Sequence, residues 1–289
     1  MVATLASSQN INLICAFTMN GLGEYVCTIR ESEVLDQTAN VVFTGEHLDE
    51  RSDQDVVYVR ILSSNTPFII NQIFTTFPNV VKLEVESSNL QSVRLPENAD
   101  LEWIVFWGNN ISRIDADSFT NQRRLESLRL TNNGIKELDE DAFQDLESLI
   151  FAAFINNRIR EIAPRTFHAL VNALTIDLEG NQLTTIGNDI FVNNRRLARL
   201  YLERNQIESI SPTLSSNLNH ENLDYINLSG NRCATRFFYL RDDFDREMFN
   251  LALQPCFRNF MGDEPRQISV QFTGNLTIFD QFENVIVRL

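Results

Sequence analysis

A phrase of apolar residues and asparagine recurs through the middle of the chain and constrains the fold more than any other feature. Its clearest copy places Leu125, Leu128, Leu130, Asn133 and Ile135 in the spacing L-x-x-L-x-L-x-x-N-x-I. Eight copies, some of them weaker, start at residues 56, 80, 101, 125, 149, 173, 197 and 223, mostly 24 residues apart. A fixed period of this length predicts a solenoid in which each copy is one coil stacked on the last.

Each position of the phrase has a predicted structural role. The x-L-x-L segment predicts a short strand, because a period of two turns its leucines to one side, and stacked copies then form a parallel sheet. The side chain of the asparagine is expected to turn inward and to hydrogen-bond backbone groups of neighbouring coils. Each asparagine then contributes about 1 kcal/mol to the stability of the fold. Ser64 and Ser88 replace it in the first two copies, which predicts weaker packing there. An earlier, degenerate coil is expected around Val41 and Phe43.

The second half of most copies carries a phenylalanine 18 positions after the start. These residues are Phe74, Phe119, Phe143, Phe167 and Phe191. We expect them to stack into a spine on the side opposite the sheet, which accounts for much of the phenylalanine content without a cofactor pocket.

The 24-residue units, with F-x-x-L/Q/N before the strand, resemble the typical extracellular subclass of leucine-rich repeats over residues 56 to 233. The resemblance implies an α/β solenoid: a curved horseshoe with a parallel β-sheet on its concave face and disulfide-bearing caps. It implies protein binding as the function. The small caps resemble those of secreted insect proteins of this class. The expected organisation is an N-terminal cap at 1–55, eight repeats at 56–232 and a C-terminal cap at 233–289, all one structural domain.

Four cysteines lie where caps are expected. Cys15 and Cys27 precede the repeats, and Cys233 and Cys256 follow them. Four cysteines allow three connectivities, and caps at opposite ends of a solenoid cannot touch. This favours Cys15–Cys27 and Cys233–Cys256, pairings that also resemble the cysteine-bearing flanks of extracellular leucine-rich-repeat proteins. Four free thiols in a cytosolic protein are the alternative.

Several features bear on the compartment. Disulfides would imply a secreted or surface location, and glycosylation sequons at Asn110, Asn227 and Asn275 point the same way. Residues 1–9 lack the basic start and long apolar run of a complete signal peptide, though they fit the trimmed tail of one. No run of 18 apolar residues occurs, so no membrane span is predicted.

The C-terminal segment predicts one helix and a hairpin. Phe244, Met248 and Leu251 fall at helical spacing within residues 241–253, which predicts an amphipathic lid over the last coil. Alternating apolar residues from 268 to 278, broken by Gly-Asn, predict a hairpin. Alternation from Val285 to Leu289 predicts a terminal strand.

The sequence contains few groups suited to catalysis or metal binding. None of the three histidines stands in ligand spacing with a cysteine or another histidine, and no nucleophile elbow, phosphate loop or HExxH helix occurs. We therefore expect neither an enzyme nor a cofactor. A formal net charge of −15 argues against nucleic acid, whose phosphates need clustered Lys and Arg, and favours a basic protein partner.

The outward strand positions are the expected binding surface. Both tryptophans fall there in one copy, and Arg129, Phe151 and Ile155 follow within two copies. Trp, Tyr and Arg are frequent binding hot spots. The predicted ligand-binding residues are Tyr58, Trp103, Val105, Trp107, Arg129, Phe151, Ile155 and Tyr201.

Two classes of function fit this surface. One is a secreted recognition module whose protein ligand docks in the concavity. The other is a matrix or self-associating protein, for example a homodimer, that uses the same apolar patch on itself. A glycan on Asn227 would occupy the C-terminal end of the concave face and confine binding to the other copies.

Overall fold

The structure is a computed structural model that describes residues 10–97, 99–218 and 222–261, together with the backbone of three strands between 269 and 288. Up to the third repeat the elements are β1 Asn10–Ile14, β2 Ala16–Met19, β3 Tyr25–Arg30, β4 Asn40–Thr44, a 3₁₀ turn Asp53–Asp55, β5 Tyr58–Leu62, α1 Ile73–Thr76, β6 Lys82–Glu86 and β7 Trp103–Trp107. Then come β8 Arg113–Ile114, β9 Ser127–Arg129, β10 Glu137–Leu138, β11 Phe151–Ala153, β12 Thr175–Asp177, β13 Thr185–Ile186, β14 Arg199–Tyr201, β15 Ser209–Ile210, α2 Thr213–Asn217 and β16 Tyr225–Asn227. The last elements are β17 Phe237–Tyr239, α3 Asp243–Ala252, α4 Gln254–Met261, β18 Ser269–Phe272, β19 Leu276–Phe279 and β20 Val285–Arg288.

One long sheet organises the molecule. Its order is β17–β16–β14–β12–β11–β9–β7–β6–β5–β3–β2, and every neighbour from β3 to β16 runs parallel. The antiparallel strands β17 and β2 close its two ends. Each of the eight repeats supplies one strand, and equivalent positions pair, as Ser127 does with Phe151. The predicted solenoid with a parallel sheet is confirmed.

The repeat leucines form the core, as the period of two predicts. In the third copy Ile104 and Phe106 have no exposed surface, while Trp107 on the opposite side of the same strand is 40% exposed. Behind the sheet, the rings of Phe119, Phe143, Phe167 and Phe191 stack at centroid distances of 6.1, 6.1 and 5.9 Å. For these four of the five predicted phenylalanines the spine is present, and it ties four consecutive coils together. Phe74, the fifth, is buried as well.

The repeat asparagines bond across coils. The Nδ2 of Asn157 donates to the Leu130 carbonyl at 2.7 Å, and its Oδ1 accepts the Ile135 amide at 3.2 Å. Asn181, Asn205 and Asn231 make the same pair of cross-coil bonds. These bonds satisfy buried backbone groups that the strand ladder leaves unpaired.

The two serines that replace asparagine also bridge coils. Ser88 is fully buried; its Oγ lies 3.3 Å from the Ile61 carbonyl and accepts the Ser64 amide at 3.1 Å. The cross-coil bonding thus continues through the first two copies with a shorter side chain.

The N-terminal cap contributes the coil that precedes the repeats. Its strand in the long sheet is β3, which contains Cys27 and pairs in parallel with β5. Val41 and Phe43, where the sequence suggested this coil, lie in β4, which pairs with β1 outside the long sheet. A coil therefore precedes the repeats, as expected, but its strand in the long sheet is β3 and not the segment around Val41 and Phe43. The Cys15–Cys27 disulfide joins β3 to the segment before β2, with a Cα–Cα distance of 5.1 Å.

The C-terminal cap contains the predicted helix with a different buried face. Helix α3 begins after Asp242, whose carboxylate accepts the Asp245 amide at 2.8 Å. Its buried residue is Phe249, whereas Phe244 is 62% exposed and Met248 is 41% exposed. The reason is β17: its Phe238 packs edge-to-face on Phe249 at 5.1 Å.

Helix α4 closes the last coil. It packs against β15, and the Nδ2 of Asn259 donates to the Glu208 carbonyl at 2.6 Å. The second disulfide joins Cys233 to Cys256 of this helix, with a Cα–Cα distance of 5.2 Å. Both predicted disulfide pairings are present, so the alternative of four free thiols is wrong.

Strands β18, β19 and β20 form an antiparallel sheet of their own, over the residues whose alternation predicts a hairpin and a terminal strand. None of the helices in the described ranges is long and apolar enough to cross a membrane.

Candidate functional site

One face of the long sheet points away from the leucine core and forms the concave side of the solenoid. This concave face carries an aromatic surface near its middle. We call it the tryptophan patch and define it by Trp103, Val105, Trp107, Phe151 and Ile155. Trp107 is 40% exposed and the other members are partly exposed. Only Ser127, a small residue, lies between Trp103 and Phe151 in the register of the strands. The strand register therefore brings these five sequence-predicted residues onto one surface.

Tyr58 and two charged residues support one edge of the tryptophan patch. The rings of Tyr58 and Trp103 pack edge-to-face at 5.6 Å. The Tyr58 hydroxyl donates to Glu84, and Arg60 binds the same carboxylate through Nε at 2.9 Å and Nη2 at 3.1 Å. Tyr58 is thus held by Glu84 and Arg60, and its ring in turn restricts the position of the Trp103 ring.

The surroundings of Tyr58 and Glu84 determine the protonation states of these two side chains. Burial opposes ionisation of Glu84, but its hydrogen bonds from Arg60 and Tyr58 together outweigh burial and lower the pKa of Glu84. Burial, then the neighbouring Glu84 carboxylate, raises the pKa of Tyr58. At neutral pH the tyrosine keeps its proton and the glutamate stays ionised.

Arg129 lies at the other edge of the tryptophan patch. Its side chain is exposed, and its guanidinium lies 4.8 Å from the centroid of the Phe151 ring. This is cation–π geometry. Not every residue that alternates onto this side of the sheet is exposed: Leu62, Glu84, Ala153 and Thr175 are buried.

Tyr201, the eighth predicted residue, lies apart from the tryptophan patch in a second aromatic group. We call this group the tyrosine cluster: Tyr201, Tyr225, Phe237 and Tyr239. Tyr225 lies at its centre, with ring centroids 5.4 Å from Tyr201, 6.0 Å from Phe237 and 5.2 Å from Tyr239. Phe237 and Tyr239 belong to β17, which sequence reasoning missed. The alternation Phe237-x-Tyr239 after Cys233 was the available signal.

Three acidic side chains lie beside the tyrosine cluster on the same face. We call Asp177, Glu179 and Glu203 the carboxylate cluster. Burial, with repulsion from Glu179, raises the pKa of Asp177 to about 6, although the Glu179 amide donates to its Oδ1 at 3.0 Å. Burial, with repulsion from Glu179 and Asp177, raises the pKa of Glu203 to about 7.

Comparison with known proteins agrees with this architecture. A model of the BspA type leucine rich repeat region matches residues 86–220 in six copies. The fold is a leucine-rich-repeat solenoid. Among solved structures, this chain is similar to the crystal structure of a TLR13–ssRNA13 complex, with a TM-score of 0.57 and 22% sequence identity. That similarity covers 62% of this chain and 26% of the other, so the chain spans about a quarter of its structural neighbour. No curated protein sequence matches.

The sequons occupy different parts of the leucine-rich-repeat solenoid. Asn110 is exposed just after β7. Asn227 lies in β16 on the concave face, where its Oδ1 accepts the Ser229 amide at 3.1 Å. Asn275 lies outside the described residues. Glycosylation of all three stays a prediction. In the described part of the chain, no three His, Cys, Asp or Glu side chains are placed to hold a metal ion.

We expect the carboxylate cluster to make the stability of the leucine-rich-repeat solenoid depend on pH. An acid whose folded pKa lies above its unfolded value of about 4 binds more protons in the folded state. Its contribution to stability therefore declines as pH rises from about 4 through the folded pKa, here about 6 for Asp177 and about 7 for Glu203. We expect Asp177→Asn/Glu203→Gln to gain about 2 kcal/mol over the wild type between pH 5 and pH 8, a figure reduced for solvent screening. Urea unfolding at both pH values measures this gain.

A double variant of equal charge provides the control for this pH effect. Glu140→Gln/Glu147→Gln removes two exposed carboxylates elsewhere on the solenoid. Equal pH dependence of stability in both variants would contradict the assignment to the carboxylate cluster.

Proposed function

We propose that this leucine-rich-repeat protein is a secreted or surface recognition module that binds a protein ligand through its concave face. The observation that carries the proposal is the tryptophan patch. Its large apolar side chains are exposed next to polar positions of the neighbouring strands, such as Glu86 and Arg129, and exposed apolar patches with polar rims are typical of interaction sites. The fold is typically a non-enzymatic binding scaffold, which agrees with this role.

Rigidity of the tryptophan patch supports the proposal. Tyr58 holds Trp103, and Arg129 lies over Phe151. An aromatic surface that is already ordered loses little side-chain entropy when a ligand binds. An ordered aromatic surface of this kind is typical of a recognition site and not of apolar side chains that are exposed because they are loosely packed.

A secreted or surface location is supported by the two disulfides. Disulfides persist in oxidising compartments and are rare in the cytosol. We further propose that the chain is related to the small secreted leucine-rich-repeat proteins of insects, since each cap carries one disulfide.

The chemistry of the partner is proposed from charge. The structural neighbour is a complex with single-stranded RNA, but this chain has a formal net charge of −15. A nucleic-acid ligand would meet repulsion at most encounters, because phosphate binding relies on Lys and Arg. A protein ligand, preferably basic, fits this charge better.

The alternative is a self-associating or matrix protein that buries the tryptophan patch against a second copy. Both tryptophans of the chain belong to the patch, so tryptophan fluorescence reports on it alone. We expect a monomer in sedimentation velocity at all accessible concentrations, with emission readily quenched by acrylamide. Trp107→Phe should reduce quenching strongly, because Trp103 is the less exposed of the two.

The alternative makes the opposite forecast for the same experiment. A dimer that forms with rising concentration, shields the tryptophans from acrylamide and dissociates in Trp103→Ala/Trp107→Ala would replace the receptor proposal with self-association.

A further inference from the structure

We propose that the free edge of β17 is a second binding site, which takes an extended segment of a protein partner as one more strand of the long sheet. β17, Phe237–Tyr239, is the last strand of that sheet, and among the described residues it has a neighbour, β16, on one side only. The proposal goes beyond the proposed function, because the site lies at the end of the sheet and does not require the tryptophan patch.

The backbone of β17 carries hydrogen-bonding groups that point away from the sheet. The Leu240 amide donates to the Asp224 carbonyl at 2.9 Å, so these residues form a hydrogen-bonded pair of the antiparallel ladder between β16 and β17. Such pairs alternate along a ladder with pairs that share no hydrogen bond. Phe237 and Tyr239 fall at the alternate positions. Their N–H and C=O groups therefore face the free edge, where none of the described residues bonds them.

A groove leaves this free edge open. It lies between β17 and α3, has a volume of about 600 Å³, and is lined on the helix side by Met248, Leu251 and Ala252. Phe237 is 52% exposed and Met248 is 41% exposed, so both sides of the groove present apolar surface. Proteins usually protect an edge strand with a covering element, a proline or a charge. The sequence Phe-Phe-Tyr of β17 contains neither proline nor charge.

The occupant is an extended polypeptide because only a strand matches the groups on offer. Two N–H and two C=O groups, on Phe237 and Tyr239, repeat at strand spacing along the edge. Adding a strand to an exposed edge satisfies such groups and is an established mode of peptide recognition. In antiparallel addition, residues opposite Phe237 and Tyr239 place their side chains on the same face as these two rings, where β-branched residues pack well.

Local charge gives the partner segment acidic ends. Arg236 and Arg241 lie on either side of β17 in the sequence, line the groove and are exposed. Neither has a carboxylate within 4.0 Å among the described residues. An acidic side chain at each end of an added strand can form a charge-assisted hydrogen bond with one of these arginines. This preference concerns the bound segment, whereas the net charge of the chain acts on the partner as a whole.

A second copy of this chain fits the edge less well. If two β17 strands paired antiparallel with Phe237 of each copy opposite Tyr239 of the other, Arg236 would lie opposite Leu240 and beside Arg241 of the other copy. Like charges across a strand pair are destabilising. The chain's own β18, β19 and β20 are already paired with one another. A segment of a different protein with acidic ends is therefore the occupant that the site favours.

NMR of the full chain labelled with nitrogen-15 tyrosine tests the site at its free edge. The chain has five tyrosines, so the spectrum is simple. The Tyr239 amide faces the edge, whereas the Tyr225 amide donates to the Ala198 carbonyl at 3.1 Å and serves as the internal reference. The probe is the peptide acetyl-Asp-Thr-Val-Thr-Val-Asp-amide at fixed ionic strength. We expect a saturable shift of the Tyr239 signal and at least tenfold slower exchange of its amide proton, with no change at Tyr225.

Two methylated forms of the peptide separate strand addition from general adhesion. When the valines lie opposite Phe237 and Tyr239 in an antiparallel strand, the valine amides point to β17 and the threonine amides point away. Methylation of the two valine nitrogens should weaken binding at least tenfold. Methylation of the two threonine nitrogens, which adds the same mass and also removes two N–H groups, should weaken it less than threefold.

Variants of the chain test the edge from the other side. Phe237→Pro removes an outward N–H and leaves the ladder to β16 intact, so it should weaken peptide binding at least tenfold while the Tyr225 signal stays in place. Arg236→Gln/Arg241→Gln should weaken binding at least threefold. Arg123→Gln/Arg195→Gln, with the same net charge and exposed arginines elsewhere, should not weaken it.

The free chain also discriminates among occupants. The Tyr239 amide should exchange fast without peptide. Slow exchange at low protein concentration would mean that the chain's own C-terminal segment fills the edge, and slow exchange that appears only as concentration rises would mean that a second copy does. Either result, equal binding of the two methylated peptides, or no saturable shift of the Tyr239 signal would overturn the proposal.

Discussion

Asn157→Ala should lower the free energy of unfolding by about 3 kcal/mol. Asn157 is buried and bonds the Leu130 carbonyl and the Ile135 amide across the coil boundary. Alanine leaves both backbone groups buried without partners, at about 1–3 kcal/mol each. Because coils contact only their neighbours, this loss falls on the interface between adjacent coils in the middle of the array. Urea unfolding followed by circular dichroism measures the change.

Asn133→Ala is a graded control for this prediction. The Nδ2 of Asn133 donates to the Phe106 carbonyl at 2.7 Å, but its Oδ1 has no partner among the described residues. We therefore expect a smaller loss, about half of that for Asn157→Ala. Equal losses of stability, or a loss below about 1 kcal/mol for Asn157→Ala, would contradict the prediction. Either result would mean that the cross-coil hydrogen bonds of the asparagines do not stabilise the contact between coils.

The repeat array follows from the sequence because its pattern is local and repeated. The spacing that puts Leu128 and Leu130 on the inner side of one strand returns in every copy. A copy that matches the phrase poorly can therefore be assigned from the copies on either side of it. The same repetition places Phe143 between Phe119 and Phe167 in the spine. Stacking of like positions is set by the period alone, which is why register needed no structural information.

The caps were harder to predict because each occurs once. Phe244, Met248 and Phe249 all lie in one helix, and helical periodicity alone does not decide which of them faces the protein. The decision depends on Phe238 of β17, a strand of three residues that lacks the repeat phrase. At the other end, Cys27 of β3 joins the long sheet although its surrounding sequence departs from the repeat.

The members of the tryptophan patch were predictable from the sequence, but the side-chain contacts around it were not. Outward positions identify Trp103 and Trp107 directly. The Tyr58–Glu84–Arg60 network depends on side-chain contacts between coils. Such contacts depend on rotamers, which a repeat pattern does not specify.

Trp103→Ala/Trp107→Ala should weaken binding of the protein ligand by about 100-fold or more. Each buried aromatic anchor contributes roughly 2 kcal/mol or more in hot spots, though the two effects need not add. Loss of stability should be small, since both side chains lie on the outer face and Ile104 and Phe106 retain the core. Leu35→Ala/Val171→Ala, which truncates two exposed apolar residues outside the long sheet, is the matched control.

The decisive measurement is affinity capture from native extracellular fluid with mass-spectrometric identification, using wild type, the tryptophan double variant and the matched control in parallel. Recognition through the concave face predicts a protein that the wild type and the control retain and that Trp103→Ala/Trp107→Ala loses. Equal capture by all three, or capture of nothing except further copies of this chain, would contradict it.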